Sequence, residues 1–264
     1  MKNILLLVHD DPAQEARFQV ALDVTRRLGG HLECLAVREL PMIAYGDYSA
    51  SEAMVLLDAG EVKTGSLQSA LEKRLASEDV GWSFDRSFEA PTEALAYASD
   101  FADLIVMSAR LDDDADEPPA PERLPLRSGR PILAVPPKAR GIDLDAPMVI
   151  AWDGSRPAVE AVRAAARLAK GAREVVLIQV GKGSGALDME EAAVYLSRHG
   201  IRPELIKRDR EPTVAAALLD QVQLIGAQLL VMGAYGSLPS AERIFGGVTR
   251  TMLQQSPVPL LLAH

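Results

Sequence analysis

The segment Leu229-Leu-Val-Met-Gly233-Ala-Tyr-Gly236 joins an apolar run to two glycines, and Gly246-Gly-Val-Thr249 follows after nine intervening residues. An apolar run that ends in glycine is typical of a buried parallel strand entering a loop. Glycines let backbone N–H groups approach an anion, and the N-terminus of a following helix adds its dipole. The segment predicts a phosphate-binding loop at the carboxyl end of a strand, with two ordinary turns as the alternative.

The same pattern occurs earlier in the chain, where ADLIVMSAR parallels AQLLVMGAY. Two further landmarks repeat around it, namely a Pro-Thr pair before an alanine-rich helix and a strand that follows a proline. Repetition on this scale indicates two copies of one structural unit. The paired segments are 102–110 with 227–235, 91–92 with 212–213, and 131–135 with 259–263.

Each copy, residues 1–140 and residues 141–264, alternates apolar strands with helices. Because a parallel crossover needs a helix, this alternation predicts an α/β fold with an open parallel five-stranded sheet and helices on both faces. Ligands bind such sheets beyond the carboxyl ends of the strands, where the strand order reverses. The glycines of 233–249 fall at one of these ends, in the second copy.

The amino-acid composition of the chain argues against several kinds of function. The chain has 264 residues, 48% of them hydrophobic, and a net charge of −9 without a basic run, which argues against binding nucleic acid or an anionic membrane. Its initial apolar run is too short for a signal peptide and no run approaches 18 residues, so we predict a cytoplasmic protein. The single cysteine, Cys34, excludes an internal disulfide and is predicted to be a buried thiol.

The sequence contains no recognisable catalytic set. A nucleophile with its base, a Walker lysine loop and paired catalytic carboxylates are all missing, and the four histidines are scattered. We therefore predict neither catalytic residues nor a metal site. His9 beside Asp10 and Asp11 is interpreted as part of a helix cap rather than an acid–base pair. The glycine-rich segment 181–185 is predicted to be a flexible connection.

Together, the repeat and the glycine spacing resemble the universal stress protein family in its tandem two-domain form. The nucleotide motif of that family is Gly, two residues, Gly, nine residues, Gly, and then Ser or Thr, after the fourth strand. Gly233, Gly236 and Gly246 match these spacings. The resemblance implies an adenine nucleotide alpha hydrolase-like fold with strand order 3-2-1-4-5 in each half. It also implies ATP or AMP as the ligand, with Mg²⁺ accompanying ATP.

The resemblance further implies a role for each matching residue of the second half. Asp153, which follows Ala151 and Trp152 at the end of a strand, matches the acidic residue that contacts the nucleoside. Val180 matches the position whose backbone reads the adenine edge. The ribose and phosphates would contact the loop and the helix after it, at Gly233, Gly236, Gly246, Gly247, Val248 and Thr249.

One position departs from the family motif, because Gly247 stands where the family has Ser or Thr. The missing hydroxyl is a hydrogen bond to a charged group, worth roughly 1.5–3 kcal/mol. Its backbone N–H and the hydroxyl of Thr249 remain. Two hypotheses stay open: a stress-response regulator that binds an adenine nucleotide, and a nucleotide-free dimeric interaction module. An adenylating enzyme is a third, although no lysine or metal-binding carboxylate is placed near the loop.

The first half is predicted to have lost the site. Ser108 replaces the glycine found at 233, and residues 111–122 carry six carboxylates and three prolines. Carboxylates repel phosphates and prolines remove N–H donors, so we interpret this stretch as a solvated acidic loop rather than a site for a divalent cation. At most one nucleotide site is expected, without efficient catalysis. Slow ATPase activity or self-phosphorylation on Thr249 or Ser237 follows from family analogy alone.

For assembly, the sequence predicts that the two halves form an intramolecular pseudo-dimer. In the nucleotide-free hypothesis the halves pack about a pseudo-two-fold axis, and the apolar terminal strands support a homodimer. A protein partner is expected under either hypothesis, because neither assigns the chain a chemical reaction of its own.

Overall fold

The structure is a computed structural model that describes residues 1–37, 65–89, 91–109, 124–183, 185–210, 212–234 and 247–264. Strands and helices alternate along both halves, as predicted. The strands are β1 (Asn3–Val8), β2 (His31–Val37), β3 (Gly81–Ser87), β4 (Leu104–Ser108), β5 (Ile132–Val135), β6 (Met148–Trp152), β7 (Val175–Val180), β8 (Glu204–Arg208), β9 (Leu229–Gly233) and β10 (Leu260–Ala263).

Between these strands lie helices that supply the parallel crossovers, together with a short 3₁₀ helix at Ser99–Phe101. The helices are α1 (Gln14–Leu28), α2 (65–75), α3 (Pro91–Ala98), α4 (Leu124–Ser128), α5 (Arg156–Leu168), α6 (Met189–Arg198), α7 (Val214–Ile225) and α8 (Gly247–Gln255).

All ten strands join one sheet, in the order β3-β2-β1-β4-β5-β10-β9-β6-β7-β8. Each half therefore has the predicted order 3-2-1-4-5, with parallel neighbours throughout. The two predicted five-stranded sheets are continuous, because β5 and β10 pair antiparallel from Ala134–Leu260 to Ile132–Leu262. Strands of the two halves consequently point in opposite directions, and their carboxyl ends lie at opposite edges of the sheet.

This central pairing uses the terminal strand of each half. Both β5 and β10 are fully buried, and each has a strand neighbour on either side. They therefore offer no free edge to a second chain. The outer strands β3 and β8 alternate polar with partly buried residues, which is typical of sheet edges that face solvent.

Helices cover both faces of the sheet. On one face, β1 and β6 residues such as Ile4 and Ile150 pack with α1, α2, α5 and α6 in a single core that runs through both halves. On the other face the core is divided: Leu5 packs with α3 and α4 in the first half, and Val149 packs with α7 and α8 in the second. Successive strand residues point to opposite faces, so continuous apolar strands serve both layers.

The segment between β5 and β6 crosses α1. Asp23 accepts a hydrogen bond from the Ile142 backbone N–H at 2.9 Å, and Arg27 forms an ion pair with Asp145 at 2.8 Å. This segment contains neither helix nor strand, and the predicted boundary between residues 140 and 141 falls within it. That boundary stays a prediction.

Side chains cap two of the helices, and the predicted burial of Cys34 is confirmed. Ser155 and Thr213 cap α5 and α7 by accepting backbone N–H groups of Ala158 and Ala216, and Gly29 ends α1 in the left-handed conformation. Cys34 is buried, and burial raises the pKa of its thiol to about 12. Among the described residues, no helix is long and apolar enough to cross a membrane.

Candidate functional site

The carboxyl edge of the second half has an opening at β6. Pairing between β6 and β9 stops at Ile150–Val231, although the strands continue to Trp152 and Gly233. Strand β6 also has β7 on its other side, so the opening lies where the strand order reverses. The ends of these strands bring three sequence-predicted residues to one edge, namely Asp153, Val180 and Gly233.

Asp153 follows the last residue of β6 and begins the turn into α5. Its Oδ1 accepts a hydrogen bond from the Ser155 backbone N–H at 3.0 Å, which orients the carboxylate at the edge. Ala151 is partly buried on the face that carries α7 and α8. Trp152 is buried on the opposite face, and its indole Nε1 has no hydrogen-bond partner among the described residues. The side chains of these two predicted residues therefore lie on different sides of the sheet.

Gly233 touches the first turn of α5. A Cβ atom at this position would lie 2.6 Å from the Ala158 backbone N and 2.7 Å from the Pro157 carbonyl carbon. Both neighbours are backbone atoms and cannot move without displacing the helix. Close packing is thus sufficient to explain the glycine at the end of β9.

The connection after β7 lies against the turn that holds Asp153. The Gly185 N–H donates to the Asp153 carbonyl oxygen at 2.8 Å, and the Leu187 N–H donates to that of Gly154 at 3.4 Å. A Cβ on Gly185 would lie only 1.8 Å from the Gly154 oxygen. Small residues at 154 and 185 are therefore required for this loop to cover the turn that holds Asp153. The sequence contained a signal for it, because two glycine-containing segments follow neighbouring strands.

Helix α8 begins at Gly247, and its first turn is accessible. Gly247 is exposed, and a Cβ there would meet no atom within 4 Å. Val248 packs partly against the core, whereas Thr249 is buried with 6% of its surface exposed. Gly236 and Gly246, predicted to contact the ligand, lie outside the described residues, as does Ser237.

The equivalent opening in the first half is filled. Pairing between β1 and β4 stops at Leu6–Val106, two residues before the strands end. The guanidinium of Arg17, a residue of α1 that is completely buried, occupies this position. It donates to the Leu7 carbonyl oxygen at 3.2 Å, to the His9 carbonyl oxygen at 3.0 Å and to the Ser108 hydroxyl.

Two further side chains complete the surroundings of Arg17. Gln14 Oε1 accepts from Arg17 Nη2 at 2.7 Å and from the His9 backbone N–H at 2.9 Å. Arg17 Nη1 donates a hydrogen bond to Asp11 Oδ1 at 3.0 Å. Asp11 Oδ2 lies 2.8 Å from Arg17 Nη2. We refer to Leu7, His9, Asp11, Gln14, Arg17 and Ser108 as the Arg17 cluster.

Asp11 is ionised in this cluster. Burial alone would raise the pKa of its carboxyl, but hydrogen bonds from His9 and Arg17 and the charge of Arg17 outweigh burial and lower that pKa to about 2. The Ala13 backbone N–H also donates to Asp11 at 2.7 Å. The predicted capping role of Asp11 is wrong, because the N-cap residue of α1 is Ala13 and no side chain caps this helix. The Asp11 carboxylate instead balances a buried cation.

Arg17 was not among the residues predicted from the sequence. A signal was available, since Gln14 and Arg17 lie three residues apart among apolar positions of α1, on its buried side. A cation on such a face needs an acceptor nearby, and Asp11 precedes it by less than two turns. The acidic segment 111–122 lies outside the described residues. Among the described residues, no group of His, Cys, Asp and Glu is arranged to hold a metal ion.

Comparison with known proteins relates both halves to one fold. The model of the universal stress protein family matches residues 146–264. A universal stress protein structure from Archaeoglobus fulgidus is similar over 99% of this chain and 95% of its own, with 17% sequence identity and a TM-score of 0.72. A putative universal stress protein from Pseudomonas aeruginosa is similar over 100% and 93%, with 15% identity and a TM-score of 0.56. Among curated proteins, no significant match was found.

Proposed function

Because the universal stress protein family model matches residues 146–264 and the whole chain is similar in fold to a structure of that family, we propose that this protein is a stress-response regulator that binds one adenine nucleotide, ATP or AMP. The site is the carboxyl edge of the second half. The observation that carries the proposal is the opening between β6 and β9, with Asp153 on one side and the accessible first turn of α8 following β9.

The parts of this edge suit different parts of a nucleotide. The Asp153 carboxylate accepts hydrogen bonds, as the hydroxyl groups of a ribose require. Val180 lies one residue beyond Gln179, the last residue of β7 that pairs with β6, which supports a contact between its backbone and a base. The N-terminus of α8 offers N–H groups and a favourable dipole to phosphates. Mg²⁺ would accompany the phosphates of ATP without a dedicated protein site.

Gly247 provides a test of this assignment that does not disturb the fold. Because a Cβ there enters open space, Gly247→Ser restores the hydroxyl of the family motif and is expected to tighten ATP binding about tenfold. Gly247→Glu places like charge beside the phosphates and is expected to weaken binding by about tenfold or more. Gln254→Glu is the matched control, since it makes the same charge change at an exposed position near the other end of α8.

Two measurements show how the wild type and these variants bind nucleotide. Denaturing the purified protein and separating the supernatant by anion exchange gives the nucleotide that it carries, and calorimetric titration with ATP, ADP and AMP gives affinities. Binding that responds to both Gly247 variants and ignores Gln254→Glu supports the proposal. An empty wild type that does not bind at millimolar concentration, with Gly247→Ser equally inactive, would contradict it.

Rapid hydrolysis is not part of the proposal, because the sequence supplies no evident general base. Thr249 is also a poor acceptor for self-phosphorylation, since its side chain is buried against the core of the second half. Incorporation of labelled phosphate from ATP should therefore be undiminished in Thr249→Ala. A complete loss of incorporation in that variant would restore Thr249 as the acceptor.

A second candidate is a nucleotide-free interaction module that acts through a protein partner or as a homodimer. It is favoured by one specific observation, namely that packing against α5 explains Gly233 without any ligand. Sedimentation of the empty protein distinguishes it: a dimer whose formation is indifferent to ATP supports the module, and a monomer that binds ATP contradicts it. Because β5 and β10 pair within the chain, sheet extension between two copies would have to use β3 or β8.

A further inference from the structure

The Arg17 cluster uses every donor of one guanidinium. Nε contacts the Leu7 carbonyl oxygen, Nη1 contacts Asp11 and Ser108, and Nη2 contacts Gln14 and the His9 carbonyl oxygen. A guanidinium has five N–H donors in a planar fork, and these five contacts match them. Such complete satisfaction is required because the side chain is fully buried.

The cluster also stands at a defined place relative to the second half. The first pair of facing residues, or rung, is Ile4–Leu104 between β1 and β4 in the first half. In the second half it is Met148–Leu229 between β6 and β9. Counting from these rungs, Ser108 corresponds to Gly233, Asp11 to Ser155 and Arg17 to Ala161. The charged pair of the first half therefore replaces a Ser and an Ala.

Helix position accounts for the space that the guanidinium occupies. Counted from the same rungs, α1 begins two residues later than α5. The first turn of α5 comes so close to β9 that only glycine fits at 233, whereas Ser108 has room for a hydroxyl that accepts from Arg17. Helix backbone thus lies against the end of the fourth strand in the second half, whereas a side chain lies against it in the first.

We infer that the first half contains a guanidinium-binding site, occupied in cis by Arg17, at the counterpart of the edge where the second half would bind its ligand. Every contact that the cation makes there is to an acceptor atom, and one of these acceptors is the Asp11 carboxylate. A nucleotide phosphate would meet this carboxylate, while Arg17 is fully engaged. Where the proposed function holds, this arrangement limits the chain to one nucleotide.

The inference is tested without any nucleotide, by replacing Arg17 and supplying the cation from solution. Arg17→Ala removes the counter-cation of Asp11 and the donor to the Ser108 hydroxyl, so its thermal midpoint should fall. Guanidinium chloride at about 20 mM, far below the molar range that denatures proteins, should raise the midpoint of this variant by about 2–4 °C and leave the wild type unchanged. Urea, the neutral molecule of similar shape, and NaCl of equal ionic strength should not restore it.

Arg26→Ala is the matched control, because Arg26 lies on the same helix and forms its ion pairs at the surface. Guanidinium should not raise its midpoint. Rescue confined to Arg17→Ala supports the inference, while no rescue, or an equal effect on all three proteins, overturns it. If Arg17→Ala does not fold in buffer, the yield of refolded protein from urea with guanidinium against NaCl becomes the readout. Equal yields would then overturn the inference.

A second variant tests whether positive charge alone is sufficient, without the planar shape of a guanidinium. Arg17→Lys keeps the positive charge but has three donors on one nitrogen, which cannot reach acceptors spread around a planar group. Its midpoint should fall below that of the wild type. Full stability of Arg17→Lys would show that a cation of any shape suffices and would contradict a site specific for guanidinium. Nucleotide titration of the second half is independent of all these outcomes.

Discussion

The carboxyl edges of the two halves have the same strand topology but differ in the groups that lie there. In each half the central strands diverge after three paired residues and leave an opening. The first half fills that opening with Arg17, a buried cation balanced by Asp11. The second half brings helix α5 against Gly233 and begins α8 with the exposed Gly247. Strand topology creates the opening, and individual side chains decide what occupies it.

The largest effect in this comparison is expected at Asp11. Asp11→Asn leaves the buried Arg17 without its counter-charge, which typically costs about 3–5 kcal/mol. Ser155→Ala, at the corresponding position of the second half, removes only a helix cap and should cost about 1 kcal/mol. Urea unfolding of both variants measures the difference. Equal losses would show that the charge pair contributes no more than a cap.

Exchanging the residues that end the fourth strand of each half should give the next largest effect. Gly233→Ser places a Cβ against the α5 backbone and is expected to destabilise by about 3 kcal/mol. Ser108→Gly removes one hydrogen bond to Arg17 and should cost about 1.5 kcal/mol.

Each half carries its own fluorescent reporter for this exchange, since the two tryptophans are Trp82 on β3 and Trp152 on β6. Unfolding followed in Trp82→Phe and Trp152→Phe backgrounds assigns each loss to a half. A harmless Gly233→Ser would remove the packing explanation for that glycine.

Lowering the pH tests how much the charge of Asp11 stabilises the first half. The pKa of Asp11 is about 2 in the folded protein and lies below its ordinary value of 3.8, so the pair stabilises the protein fully above pH 3.8. This contribution, about 2 kcal/mol, should disappear as pH falls through about 2. The stability difference between wild type and Asp11→Asn should therefore shrink between pH 5 and pH 2. A difference that stays constant over that range would contradict the ionised pair.

The smallest effect is expected at an exposed ion pair on the outer strand β8. Lys207 forms an exposed ion pair with Glu190 at 3.2 Å, and exposed pairs contribute little because water screens them. Lys207→Ala should change stability by less than about 0.5 kcal/mol in urea unfolding. A loss comparable to that of Ser155→Ala would indicate that β8 depends on this pair to hold its place at the sheet edge.

Much of the fold was predictable from local patterns. Apolar runs marked the strands, Ser155 and Thr213 marked helix starts, and the resemblance supplied the strand order that the structure confirms. The continuous ten-stranded sheet was not predicted, because the apolar residues of β5 and β10 indicate burial without naming a partner. The contact between the loop after β7 and the Asp153 turn was not predicted either, because glycine signals both flexibility and close backbone approach.

Of the candidate site, the sequence alone determined that the halves differ, through Gly233 against Ser108 and through the acidic residues of 111–122. The assignments of Asp153, Val180 and the glycines to a nucleotide remain predictions. The tertiary structure decided what closes the first half, because Leu7, Asp11, Arg17 and Ser108 come from two strands, a turn and a helix. The spacing in the chain links Arg17 to Asp11 but carries no sign that Leu7 and Ser108 share their site. Burial makes the five hydrogen bonds of Arg17 obligatory, and burial is a property of the folded chain.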